Sequence, residues 1–213
     1  MGKRFEALNN KHIEFIQAQK VYFVGTATEN SRVNVSPKGM DSLRVISNNR
    51  VAWLNLTGSG NETSAHVQQN SRMTLMFCAF EGPPLILRLY GRAKVIHKND
   101  TEWEKLFALF YPLPGARQIF DLSIELVQTS CGMAVPYYEF SGERELLNDW
   151  AQKRGDEGLQ QYWLEKNQLS IDEIPTNIAT KNSQVWIKLS FYRIFFGRHF
   201  RIRKLRDQNP RLE

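Results

Sequence analysis

The organisation of this chain follows from one stretch, residues 54–66, which read LNLTGSGNETSAH. The apolar run from Val51 to Leu56 predicts a strand, the two glycines among small polar residues predict a turn, and the residues after them have helical character. A strand that passes through a glycine-rich turn into a helix leaves several backbone N–H groups unpaired at the positive end of the helix dipole. We therefore interpret the stretch as a candidate phosphate cradle. Three hydroxyl groups could add donors: Thr57, Ser59 and Thr63.

The same turn also has an ordinary structural interpretation. Gly-Ser-Gly-Asn is common loop chemistry, and Asn61 or Thr63 could cap the following helix. The stretch has neither the spaced glycines of a dinucleotide-binding turn nor the Gly-Lys-Ser/Thr ending of a nucleoside triphosphate loop. Taken alone, the residues leave both interpretations open.

The composition favours a folded domain over a disordered chain. The 213 residues are 42% hydrophobic and 12% aromatic, enough to bury a full core. No apolar run approaches the roughly 20 residues of a membrane span, and the first ten residues contain no apolar signal core. We therefore expect a cytoplasmic protein.

Cysteine and histidine usage gives little support for a disulfide framework or a metal site. Cys78 and Cys131 are too few for such a framework. We expect Cys78 to be a small buried residue and favour a pocket-wall role for Cys131 over a nucleophilic one. The four histidines have no paired ligand spacing, so the sequence supports no metal site.

The net charge of +6 is concentrated at the C-terminal end of the chain. Residues 181–213 contain nine Lys and Arg against two Asp and Glu, so the remainder is close to neutral. Aromatic and basic residues alternate between Val185 and Arg206, which leaves three interpretations open: docking onto the body or a partner subunit, binding of a membrane surface or nucleic acid, and a disordered extension. We expect a domain over residues 1–175 and a basic aromatic extension over residues 176–213.

The spacing of the elements predicts a mainly β fold. Short strands follow one another closely, and helices separate only some of them, which favours an antiparallel barrel with flanking helices over βαβ units. The predicted strands are 21–27, 33–36, 43–46, 51–56, 72–80, 85–97 and 120–128, the last continuing towards residue 135. The predicted helices are 3–19, 62–69, one following Asp100, 143–154 and 156–166.

Four motifs occur in one order: VSPKG (35–39), LTGSGNET (56–63), LRLYGRA (87–93) and QTSCGMAVP (128–136). Together they resemble the pyridoxamine 5′-phosphate oxidase-related flavoproteins with the FMN-binding split-barrel fold, over about residues 5–175. The resemblance implies a homodimer with one FMN in each of two clefts at the subunit interface. It also implies an FMN-dependent oxidoreductase, with a reduced nicotinamide or another small molecule as substrate.

The resemblance assigns site residues in four groups. Those implied along the flavin ring and ribityl chain are Ser36, Pro37, Lys38 and Gly39. Those implied around the phosphate are Thr57, Ser59, Gly60, Asn61, Glu62 and Thr63. Arg88 or Arg92 would neutralise the phosphate, and Ser130 to Val135, including Cys131, would approach the ring from the second subunit.

Physical reasoning supports the cationic part of this set. A phosphate of charge near −2 is best bound by N–H donors and at least one cation, and both Lys38 and Arg88 lie on predicted strands or at their ends. Arg88 lies in a strongly apolar strand, so we expect it to have a partner or to face a cleft.

The chain also departs from the best-studied pyridoxamine phosphate oxidases. It lacks their Arg/Ser-Arg-Lys phosphate signature and their basic C-terminal substrate motif in its expected setting, so we do not expect pyridoxamine phosphate as the substrate. No acid–base pair identifies catalytic residues. A non-catalytic binder of FMN, haem or a deazaflavin stays an alternative, as does a membrane or nucleic-acid module acting through the basic extension.

Overall fold

Eight strands and five helices make up the part of the chain that the computed structural model describes, residues 2–182. In chain order they are β1 (Lys3–Phe5), α1 (Asn10–Ala18), β2 (Tyr22–Thr26), β3 (Asn34–Lys38), β4 (Leu43–Ser47), β5 (Arg50–Leu56), α2 (Glu62–Gln69), β6 (Arg72–Cys78), β7 (Ile86–His97), α3 (Trp103–Phe107), β8 (Ala116–Ser130), α4 (Leu146–Lys166) and α5 (Ile178–Asn182).

All strand pairs are antiparallel, in the order β3-β2-β6-β7-β8-β5-β4, with β1 added on β8. The register follows the hydrophobic alternation of the strands. Leu75 pairs with Leu89, and Leu89 pairs with Val127 on its other side, so one face of three neighbouring strands is apolar. All three side chains are fully buried. The sheet therefore has one face committed to a core.

The sheet curves around this core. Trp53 of β5 stacks on Phe120 of β8 with ring centroids 4.7 Å apart, at the centre of the largest apolar cluster. Ser42 joins distant parts of the sheet, because its Oγ lies 2.9 Å from the Tyr22 hydroxyl and its carbonyl accepts a hydrogen bond from Leu54 N–H at 2.8 Å. The predicted fold class, a mainly β antiparallel barrel with flanking helices, is confirmed.

The flanking helices bury two smaller apolar clusters. Trp103 and Leu106, in α3, pack with Ile96 and Ile119. The second cluster joins α4 to α5: Ala151, Leu159, Trp163 and Ile178.

The predicted helix over residues 3–19 is wrong at its beginning. Lys3–Phe5 is a strand paired with Gln128 and its neighbours in β8, and the helix begins after Asn9. Asn9 and His12 form a reciprocal capping box, which marks the beginning of the helix. The prediction placed the beginning earlier because Phe5 fits the helical spacing of the apolar residues.

Two further boundaries also differ from the prediction. β8 begins at Ala116 and not at Phe120, and it ends at Ser130, because Gly132 has a positive φ of 66°. The predicted break between the two polar helices is confirmed, because Gly155 has non-helical angles, φ 64° and ψ 176°; only the beginning differs, at Leu146 and not at residue 143.

Residues 2–182 lie within one compact unit. The predictions for the basic extension therefore fall mainly outside the described residues, and the division near residue 175 stays a prediction. Among residues 2–182, none of the helices combines the length and apolar composition needed to cross a bilayer.

Candidate functional site

A cavity of about 430 Å³ opens where β3, β5 and the start of α2 meet. Its volume lies within the range of small-molecule sites, about 300–1,000 Å³. Ten of the fourteen predicted site residues line it: Ser36, Pro37, Lys38, Gly39, Thr57, Ser59, Gly60, Asn61, Glu62 and Thr63. The sequence motifs at residues 35–39 and 56–63 therefore meet in one place.

The turn between β5 and α2 is anchored at its first residue. Thr57 donates from its N–H and its Oγ1 to the carbonyl of Gly115, at 2.8 Å and 2.7 Å. The same Oγ1 accepts a hydrogen bond from Trp163 Nε1 at 2.8 Å. Thr57 thus fixes the end of β5 against both β8 and α4.

The capping interpretation of this turn is wrong for Asn61. It is the residue before α2, but its side chain makes no capping hydrogen bond. Thr63 Oγ1 accepts from Asn34 Nδ2 at 3.1 Å. The N–H groups of Ser64 and Ala65 donate to the Asn61 carbonyl, at 3.1 Å and 3.3 Å, so those of Glu62 and Thr63 keep their capacity to bind a ligand at the positive end of the helix dipole.

The carbonyls of the turn are held by two buried side chains. Asn167 Nδ2 donates to the carbonyls of Gly58 and Ser59, at 3.1 Å and 3.4 Å. Arg117 Nη2 donates to the carbonyl of Gly60 at 2.7 Å, and its Nη1 donates to Asn167 Oδ1 at 2.6 Å. In a trans peptide the N–H points away from the carbonyl. The next N–H groups, those of Ser59, Gly60 and Asn61, therefore point away from these donors.

Two cations face the cavity. Arg117 is only 4% exposed, and no carboxylate oxygen of residues 2–182 lies within 4.0 Å of it. Burial lowers the pKa of its guanidinium. Burial, followed by the charge of Arg117, lowers the pKa of Lys38 to about 8. The Lys38 ammonium lies 5.1 Å from the centre of the Trp53 ring.

One acid also lines the cavity, but its oxygens are occupied. The carboxylate of Glu62 accepts a hydrogen bond from Ile171 N–H, at 3.0 Å and 3.1 Å to its two oxygens. Glu62, which the resemblance implies around the phosphate, therefore uses its carboxylate to bind backbone within the protein.

Two buried acceptors in the cavity wall have no partner among the described residues. They are Ser36 Oγ and Asn61 Oδ1. A buried polar atom without a partner is costly, and a ligand hydroxyl would satisfy either one.

The four remaining predicted residues lie elsewhere on the protomer. Arg88 Nη1 donates to Ser130 Oγ at 3.2 Å, so Arg88 has the partner that its apolar strand requires. Arg92 pairs with Glu125 at 3.1 Å, and Cys131 is exposed. None of the four lines the cavity within one protomer, and their role across a dimer stays a prediction.

Comparison with known proteins identifies the family. A family model described as pyridoxamine 5′-phosphate oxidase matches residues 8–131. The pyridoxamine 5′-phosphate oxidase family protein ustO of Aspergillus flavus is 33% identical over 203 residues, which cover 85% of this chain and 82% of that protein. The chain belongs to the pyridoxamine 5′-phosphate oxidase family.

Solved structures are similar at lower identity. One described as a putative pyridoxamine 5′-phosphate oxidase, from Lactobacillus delbrueckii, is 22% identical with a TM-score of 0.47, covering 58% of this chain and 94% of that one. The heme storage protein HutZ of Vibrio cholerae is 17% identical with a TM-score of 0.43, covering 56% and 92%.

Sequence reasoning missed Arg117, Trp163 and Asn167. Arg117 had no clear signal, because Asp121 follows four residues later in the same strand and offers an ordinary ion-pair partner in the sequence. Asn167 had none, since it follows a polar helix more than 100 residues from the turn that it binds. Both Trp163 and Asn167 also lie beyond the part of the chain that the oxidase family model matches.

Proposed function

We propose that this protein binds FMN in the cavity and is an FMN-dependent oxidoreductase of the pyridoxamine 5′-phosphate oxidase family. The observation that carries the proposal is Arg117, a buried guanidinium without a carboxylate partner in residues 2–182, placed behind a glycine-rich turn with unpaired N–H groups. A charge in this setting is costly unless a counter-ion compensates it. A phosphate group would be that counter-ion.

The residues present fit each part of FMN. Lys38, Arg117 and the N–H groups of Ser59 and Gly60 suit the phosphate. Ser36 Oγ and Asn61 Oδ1, the two unpartnered acceptors, suit the hydroxyls of the ribityl chain. Flat and apolar wall residues suit the ring: Pro37, Gly39, Met40, Trp53 and Leu54.

The bound flavin would supply hydride and electron transfer, which no side chain of the protein supplies. The chain's own residues bind the phosphate, orient the ring and exclude water from one side of it. Lys38, with its pKa of about 8, is mostly protonated near neutral pH and holds its proton at Nζ. A reduced nicotinamide or another small molecule would be the electron donor.

We also propose a homodimer in which a second copy completes the site. An apolar segment after β8 supports this, because four large side chains in it are at least 44% exposed: Met133, Tyr137, Tyr138 and Phe140. The backbone of this segment is held in place, since Tyr138 N–H donates to the Phe80 carbonyl at 3.1 Å. A second copy of the chain is the occupant that family membership favours.

The test is the visible spectrum of the purified full chain, followed by release and identification of any bound chromophore. Flavin absorbance with about one FMN per chain would support the proposal. A colourless protein that also fails to take up added FMN would contradict it.

A screen of electron donors then separates an enzyme from a non-catalytic binder. Turnover of a reduced nicotinamide or another donor supports the oxidoreductase, whereas retained FMN without turnover of any donor favours the binder. Haem is the less suitable ligand, because the residues described as lining the cavity include no histidine.

A further inference from the structure

We infer that Asn167 and Arg117 are positioning residues that make the cavity select a phosphorylated ligand over its unphosphorylated form. They would do so by holding three successive carbonyls of the glycine-rich turn, so that the N–H groups of Ser59 and Gly60, which lie opposite the donors of Asn167, face the cavity. The inference deepens the proposed function and rests on it for the identity of the ligand, FMN.

The geometry of Asn167 is fully specified by its surroundings. Asn167 is completely buried, and its side-chain oxygen accepts from Arg117 while its side-chain nitrogen donates to Gly58 and Ser59. Its own carbonyl accepts a hydrogen bond from Thr176 Oγ1 at 2.5 Å. The amide is therefore locked in one orientation, with its two N–H donors aimed at the turn.

The turn itself has little else to fix its peptide planes. Gly58 and Gly60 have no side chains, and a Cβ added to Gly58 would meet nothing within 4 Å. Glycine backbones adopt many conformations at little cost. Without the donors from Asn167 and Arg117, the peptide planes would rotate, and carbonyl oxygens would be turned towards the cavity in some conformers.

This orientation matters for a phosphate and not for a flavin ring. A phosphate needs N–H donors and is repelled by carbonyl oxygens. The turn lines the cavity and Asn167 does not, so N–H groups that point away from Asn167 are on the ligand side. Riboflavin, which lacks the phosphate, makes no demand on them. The end of α4 is thus part of the phosphate site, although it lies outside the region matched by the family model.

The test substitutes Asn167→Leu in the full chain. The substitution keeps the approximate shape and places no charge beside Arg117, but leucine cannot donate to the carbonyls of Gly58 and Ser59. The stripped protein is titrated with FMN and with riboflavin by flavin fluorescence. We expect the affinity for FMN to fall about tenfold or more, and the affinity for riboflavin to stay within about twofold.

The control is Gln161→Leu, the same amide-to-leucine change on the exposed face of α4. It should leave both affinities unchanged. An Asn167→Leu protein that folds and keeps its preference for FMN would overturn the inference alone, as would an equal loss for both flavins. A wild-type protein that binds neither flavin would overturn the proposed function itself.

A second measurement needs no variant and decides the matter if Asn167→Leu does not fold. Amide hydrogen exchange of the wild-type protein is followed with FMN, riboflavin or inorganic phosphate added. FMN and phosphate should slow exchange at residues 59 and 60, and riboflavin should not. Unchanged exchange at these two amides when FMN binds would overturn the inference.

Discussion

At the scale of single residues, the site is defined by two cations that destabilise each other. Arg117 and Lys38 face one cavity, and the charge of Arg117 contributes to the lowered pKa of Lys38. Folding brings both out of water, at a cost that hydrogen bonds to carbonyls only partly offset. A bound dianion would compensate both charges. This unfavourable pair therefore has a functional explanation and no evident structural one.

Under the proposed function, Lys38 should make FMN binding dependent on pH. Its pKa of about 8 lies below the ordinary lysine value because of burial and then Arg117, so Lys38 is charged below pH 8 and neutral above it. The dissociation constant for FMN should rise severalfold as pH increases through about 8. Titrations between about pH 7 and 8.5 keep the phosphate a dianion, since its second pKa is about 6, and stay below the pKa of Arg117, which burial lowers to about 9.

The matched control is Lys38→Arg. Arginine at residue 38 stays charged over this range, so the FMN dissociation constant of the variant should not change with pH. At pH 7 the variant should bind FMN about as tightly as the wild-type protein. A flat wild-type profile, or an equal fall in Lys38→Arg, would show that Lys38 is not the group that titrates.

At the scale of elements, the long pair β7 and β8 is bent by a register shift at Gly91. The register slips between Tyr90 and Gly91, and a Cβ at residue 91 would lie 2.0 Å from the carbonyl oxygen of Ser123. Because the obstacle is backbone, no side chain can move to make room. The glycine of the LRLYGRA motif is therefore required by the shape of the sheet.

Gly91→Ala should destabilise the protein by about 3 kcal/mol or more, since either strand must shift to admit the methyl group. In a domain of this size the melting temperature should fall by on the order of 10 °C. Gly25→Ala is the control, because a Cβ there meets Thr74 at an ordinary 3.9 Å. Equal melting temperatures for the two variants would refute the role of Gly91.

Whether elements are contiguous in the chain decides which parts of the site the sequence could predict. The turn and its flanking elements are contiguous, so their glycines, hydroxyls and apolar run were readable together and were found in one cavity. Lys38 was found through its motif. Arg117 and Asn167 were not, because they join the turn only through packing of β8 and α4 from 57 and more than 100 residues away. The strand at Lys3–Phe5 was missed because its pairing with β8 is equally non-local.

At the scale of the whole molecule, α4 and the residue after it complete the candidate site that the barrel forms in part. The barrel supplies the cavity wall, and α4 supplies Trp163 and Asn167, which hold the turn from behind. The apolar segment after β8 is the opposite case, since Met133 is 81% exposed and Tyr137 is 78% exposed. With Tyr138 and Phe140 also exposed, four large apolar side chains lie within residues 133–140, and such a concentration favours a surface that another protein covers.

We expect the full chain to be a dimer by size-exclusion chromatography with light scattering. The double substitution Met133→Glu and Tyr137→Glu should give a monomer, because charges would be buried at the interface, and should weaken FMN binding. Leu164→Glu, at an exposed position of α4, is the control and should leave the dimer intact. A monomeric wild-type chain with full FMN affinity would rule out a site completed by a second copy.

The most direct single measurement is a parallel titration of the flavin-stripped wild-type chain with FMN and with riboflavin at pH 7. We expect about one FMN to bind per chain, at least about a hundredfold more tightly than riboflavin, because only FMN compensates Arg117 and Lys38 and binds the N–H groups of the turn. Equal affinities for the two flavins, or no binding of either, would contradict a phosphate site in this cavity.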